Sequence, residues 1–73
     1  MKVTLESTTK LVNVNGVPAR VWEGTTESGI PIHAYITRVA VGIDDDQAQF
    51  ERELQECRAP SAAVAAIPTF LVL

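Results

Sequence analysis

Apolar and polar residues alternate along much of this chain, most clearly on either side of Asn15-Gly16. Asn-Gly between two alternating runs predicts a two-residue hairpin, because a type I′ turn needs positive φ at both central residues. The turn sets a register in which Val14 faces Val17, Val12 faces Ala19 and Leu11 faces Arg20. One face of the hairpin then carries Val12, Val14, Val17, Ala19 and Val21. The other carries Leu11, Asn13, Pro18, Arg20 and Trp22. Upstream, residues 2–6 alternate as a short strand, and Ser7-Thr8-Thr9 is a polar break, a bulge or bend, before the hairpin strand at 10–14. The partner strand runs from Val17 to about Glu23.

Residues 24–29 hold two glycines and three hydroxyls and predict a loop. Residues 30–41 then form the longest β-type run, with Pro31 confined to its start or to a sheet edge because proline donates nothing to a ladder. Pairing Glu23 with Ile30 extends the register: Val21 meets Ile32, Ala19 meets Ala34 and Val17 meets Ile36. On that register the second face gathers Arg20, Trp22, His33, Tyr35 and Thr37.

Asp44-Asp45-Asp46 precedes a helical pattern from Gln47 to about Arg58. Acids suit the positive end of a helix dipole, and Gln47 three residues after Asp44 resembles a capping box. Phe50, Leu54 and Cys57 form a narrow apolar stripe. Pro60-Ser61 ends this helix and can cap a further turn over residues 62–66, which Pro68 stops. Residues 69–73 are an apolar tail, expected as a strand beside residues 2–6 of this chain or of a neighbour. The predicted fold is a single α+β domain over residues 1–73: an antiparallel β-meander of about four strands, one main amphipathic helix packed on the aliphatic face, and a β-type C-terminal tail.

The chain has 73 residues, and a domain of that size buries only about 60% of the surface its unfolded chain exposes. Small folds compensate with disulfides, metals or oligomerisation. One cysteine excludes an internal disulfide and one histidine excludes zinc-type clusters, which leaves a homo-oligomer as the expectation. A net charge of −3, with six dispersed basic residues, argues against general nucleic-acid binding. No apolar run approaches the ~20 residues of a membrane span. Met-Lys-Val-Thr-Leu-Glu at the start lacks the apolar core of a signal peptide. With a lone cysteine, these features predict a cytoplasmic protein.

The residues singled out for binding are Arg20, Trp22, His33, Tyr35 and Arg38. Indole and phenol rings offer rigid contact area, and guanidinium groups offer planar hydrogen bonding to phosphate. The same set also suits a homo-oligomer interface, the reading that base rates favour over a ligand site or a bare exposed face. Thr25, Thr26 and Ser28, at the end of the Trp22 strand, are positioned to close over a ligand with hydroxyls and backbone N–H groups. The loop lacks the lysine and following helix of a phosphate-binding loop. No cofactor is indicated. The aspartate run lacks the alternating ligands of a calcium loop, so helix capping is its expected role and no metal ligand is assigned. His33 has no nucleophile to serve, Cys57 belongs to an apolar stripe, and Glu23 and Glu27 flank a loop without forming a catalytic pair. No catalytic residue is assigned, and the chain is read as a non-enzyme. Glu51, Glu53 and Glu56 make one helix face acidic, a solvated surface or a weak mimic of nucleic-acid phosphate toward a basic partner.

Three segments, Val-Pro-Ala-Arg-Val-Trp-Glu-Gly (17–24), Glu-Ser-Gly-Ile-Pro-Ile-His-Ala-Tyr-Ile-Thr-Arg (27–38) and Phe-Glu-Arg-Glu-Leu-Gln-Glu (50–56), carry a resemblance. The chain resembles small uncharacterised proteins encoded by tailed bacteriophages and prophages. The resemblance implies an accessory protein of the host cytoplasm that evades immunity by stoichiometric binding, and it transfers no individual site residue. Two mechanisms fit. A sponge sequesters a small nucleotide signal between protomers through the five binding residues. An inhibitor docks on a host defence effector through the aromatic face or the acidic helix. A virion or assembly role is the third possibility.

Overall fold

The computed structural model describes residues 1–73. It is a small α+β fold in which a four-stranded mixed sheet has the order β3–β2–β1–β4. The elements are β1 (Val3–Val14), β2 (Val17–Thr26), β3 (Pro31–Ile36), α1 (Gln47–Leu54), α2 (Ala62–Ala65) and β4 (Phe70–Leu71). No helix is long and apolar enough to cross a membrane.

The first hairpin forms in the expected register, with Val14 opposite Val17, Val12 opposite Ala19 and Leu11 opposite Arg20. Asn15 and Gly16 adopt φ of 52° and 87°, as the primed turn demands. The polar break at 7–9 is a bulge within one continuous strand, with the register shifting between Ser7 and Leu11. There the Thr8 hydroxyl donates to the Val21 carbonyl at 2.7 Å and accepts from the Lys10 N–H at 3.2 Å. Thr8 is fully buried, so its side chain supplies the bonds that the interrupted ladder lacks.

The second hairpin departs from expectation. Residues 24–26 belong to β2, and the turn is only Glu27-Ser28-Gly29, with Gly29 N–H on the Thr26 carbonyl at 3.0 Å and Gly29 at φ 89°. This is the three-residue hairpin loop whose last position needs a left-handed residue. Shortening the loop moves the pairing: Val21 lies opposite Tyr35, Trp22 opposite Ala34, Glu23 opposite His33 and Arg20 opposite Ile36. The offset from the expected pairing is odd, so it exchanges the faces of β3. Tyr35 and His33 join the aliphatic side, and Ile32, Ala34 and Ile36 join Trp22. β3 also ends at Ile36 rather than continuing to residue 41.

The tail corrects the antiparallel expectation. β4 pairs in parallel with the other end of β1, Asn13 with Phe70 and Val14 with Leu71, and not beside residues 2–6. The Asn15 amide group acts as an extra strand residue, its Oδ1 accepting from Leu73 N–H at 2.8 Å and its Nδ2 donating to the Leu73 carbonyl at 3.1 Å.

Which helix covers the aliphatic face also differs. The core is Val12, Ala19, Val21 and Val64, with Val14, Tyr35, Ile67 and Leu71 packed around it. Val64 comes from α2, whose N-cap Ser61 accepts from the Val64 N–H. α1 buries no residue and stops at Leu54, short of the expected end near Arg58. Its N-cap is Asp46, whose Oδ1 accepts from Gln49 N–H at 3.0 Å, rather than Asp44. A stripe only two residues wide within the helix, Phe50 and Leu54, offers too little apolar surface to compete for the core.

Candidate functional site

The sheet has a closed face, sealed by α2, and an open face centred on Trp22. Trp22 stands between Ser7 on β1 and Ala34 on β3, both small, so its half-buried indole keeps free surface. Arg20 lies two positions along the same face. Its Nη1 donates to the Thr8 carbonyl at 2.7 Å, a backbone oxygen set by the bulge, and its other N–H donors remain for a ligand. Arg38 follows β3, exposed and outside any ion pair. These three line one groove of about 440 Å³ with Ile36, Val39 and Leu54, and no carboxylate borders it.

The structure therefore brings together Arg20, Trp22 and Arg38 and separates them from His33 and Tyr35. His33 and Tyr35 occupy the closed face, rings 5.4 Å apart in an edge arrangement, with His33 Nε2 and Tyr35 Oη at 3.1 Å. Tyr35 packs on the aliphatic cluster, while exposed His33 stands opposite Glu23. The hydroxyl set is also elsewhere. Thr26 Oγ1 accepts from Ile30 N–H at 3.1 Å and lies 3.2 Å from Ser28 Oγ, so both serve the turn. With Lys2 they border a separate hollow at the far end of the sheet, and Thr25 is exposed opposite Pro31.

A second groove, about 640 Å³, opens on the other flank of Trp22 and is acidic, bordered by Glu6, Glu53 and Glu56 beside Cys57 and Arg58. The Ser7 hydroxyl donates to the Glu56 carbonyl at 2.8 Å and approaches Cys57 Sγ at 3.5 Å. Cys57 lies beyond the end of α1 and is half-buried. No group of three or more His, Cys, Asp or Glu is placed to hold a metal ion.

The main polar feature is Glu23, expected beside a loop but buried within β2. Its Oε2 accepts from the Ser61 N–H at 2.8 Å, and Arg58 Nη2 lies 3.7 Å from its Oε1. Arg58 Nε also reaches Glu6 at 3.3 Å, so one guanidinium spans two glutamates that face each other across β1 and β2. The Ser61 backbone N–H, then the Ser61 hydroxyl, hold the Glu23 carboxyl below its usual value. Burial opposes them, and the charges of Arg58 and His33 add to them. The signal was available: Glu23 continues the phase of Val17, Ala19 and Val21, and a carboxylate in an apolar phase needs partners. Arg58 gives no such signal, because its role depends on a backbone bridge to Thr8. Set against protein-family models, curated proteins and solved structures, the chain matches none.

Proposed function

We propose that this protein is a phage accessory protein that binds a small nucleotide stoichiometrically and so withholds a signal from host immunity. The observation that carries this reading is the groove of Arg20, Trp22 and Arg38. Two guanidinium groups and an indole share it without a carboxylate, in a chain whose net charge is −3. Cations placed against the overall charge suit an anion, and the indole suits a planar base. The groove's volume of about 440 Å³ lies within the range of small-molecule sites. The phage setting is part of the proposal and rests on the resemblance drawn from the sequence of residues 17–24, 27–38 and 50–56 alone. His33 and Tyr35 leave the ligand set, because they face the other way.

Native mass spectrometry with a panel of cyclic and linear nucleotides tests the reading. The expected result is a discrete nucleotide mass at fixed stoichiometry, with at least a tenfold loss of affinity in Arg38→Ala, whose exposed side chain has no ion pair to lose. Bare protein throughout the panel, or full affinity in Arg38→Ala, overturns it. The acidic groove favours one other reading, an inhibitor that docks a basic host protein against Glu53 and Glu56. That complex ignores nucleotides and is weakened by Glu53→Lys.

A further inference from the structure

The two edges of the sheet are finished differently. The β1 edge is occupied: Asn13 N–H bonds Thr69 O, Asn15 N–H bonds Leu71 O, and Arg58 exchanges bonds with Ser7 and Thr9. The β3 edge has no such cover. The bond from Thr26 N–H to Ile30 O sets the phase of the β2–β3 ladder. Alternation then turns the N–H and C=O groups of His33 and Tyr35 away from β2, into solvent. Sheet proteins usually blunt such an edge with charge, a bulge or a covering segment. Residues 30–37 carry no formal charge and no bulge, and only Pro31, at the strand's first position, interrupts the donors.

We propose that β3 pairs antiparallel with β3 of a second copy about a two-fold axis at Ala34, joining two sheets into one. This inference stands apart from what fills the groove. The strand is complementary to itself in this register. His33 meets Tyr35 of the second copy twice, each pair supplying both donors and both acceptors. Pro31 falls opposite Thr37, where its missing N–H lies at the end of the ladder. A register centred on His33 instead sets Pro31 opposite Tyr35 and loses a donor inside the strand, and one centred on Tyr35 runs past the end of β3.

Side chains agree with the same axis. Ile32 stands beside Ile36 of the second copy on the open face, and His33 beside Tyr35 on the closed face, so apolar and aromatic cross-strand pairs form on both. Ile36 lines the Trp22 groove, so Ile32 of the second copy extends that groove's wall.

Light scattering on a sizing column, over micromolar to millimolar concentration, is the test, with amide hydrogen exchange on the same samples. Twice the mass of one chain, with slow exchange at the His33 and Tyr35 amides, is expected. His33→Pro removes an outward donor that β2 does not use. His33→Lys adds charge to the interface and sets that charge opposite Glu23, so it guards against a fold defect in the proline variant. Both are expected to return to the mass of one chain with unchanged far-ultraviolet circular dichroism. A wild-type protein at single-chain mass throughout overturns the proposal. So does a dimer whose His33 and Tyr35 amides exchange freely, because its interface is then elsewhere.

Discussion

One face of this sheet is closed and the other open, although the same two strands supply both. On the closed face Val12, Ala19 and Val21 meet Val64, and each is nearly or wholly buried. On the open face Trp22 and Arg20 remain half-buried, and Leu54 from α1 reaches them while 45% exposed. A four-residue core leaves little reserve, so substitutions on the closed face should act on folding. Those on the open face should act on binding. What separates the faces is which helix arrives with apolar surface to bury. α2 brings Val64 directly onto Val21, whereas α1 brings a stripe too narrow to seal Trp22.

The largest effect falls on the sheet that both faces share. A Cβ added at Gly24 would sit 1.8 Å from the Thr4 carbonyl oxygen, a backbone atom that no rotamer change can move. Gly24→Ala should therefore cost about 3 kcal/mol or more, the upper range for overpacking, and pull β1 from β2 near Leu5. Denaturant titration measures the loss. A variant as stable as the parent would mean that the two strands tolerate a wider separation there.

Next comes the direct contrast between faces. Val21 is wholly buried, and Val21→Ala leaves a void beneath α2 at a cost of about 2 kcal/mol. Leu54→Ala removes more atoms from the open face and should cost under about 1 kcal/mol, because the side chain is already part-solvated. Under the function proposed above, nucleotide affinity should respond in the opposite order, since Leu54 borders the groove and Val21 does not. Equal destabilisation by the two variants would break the distinction.

The contrast also explains what could be read from residues alone. Asn15-Gly16 encodes its turn locally, and the register of the first hairpin follows from that dipeptide. The second hairpin misleads because Gly24 and Gly29 look alike in sequence and do different work. Gly29 supplies the left-handed turn position, while Gly24 permits close approach between strands. Assigning both to one loop displaces β3 by an odd number of residues, and His33 and Tyr35 change faces with it. Arg20 and Trp22 keep the face that the first hairpin dictates, and Arg38 enters the groove because β3 stops at Ile36. The parallel tail and the exchange of helices depend on contacts between distant segments, which no local pattern encodes. Glu23 was legible in principle, through its phase with Val21.

The smallest effect sharpens the account of the closed face at its polar end. Glu23 is held ionised chiefly by the Ser61 N–H, with Arg58 in support, and its carboxyl lies below the usual value of 4.5. A carboxyl depressed in the folded state stabilises it above the unfolded value, and that contribution disappears as pH falls through the folded value. Melting temperature should therefore drop as pH is lowered below about 4.5, the stabilising share of Glu23 fading over that interval. Glu23→Gln keeps an acceptor for Ser61 and removes the charge. It should melt slightly below the parent at neutral pH, and the difference should shrink in acid. A constant gap at every pH would show that Glu23 acts through shape and hydrogen bonding alone, and that Arg58 contributes to the closed face mainly through its backbone bridge to Thr8.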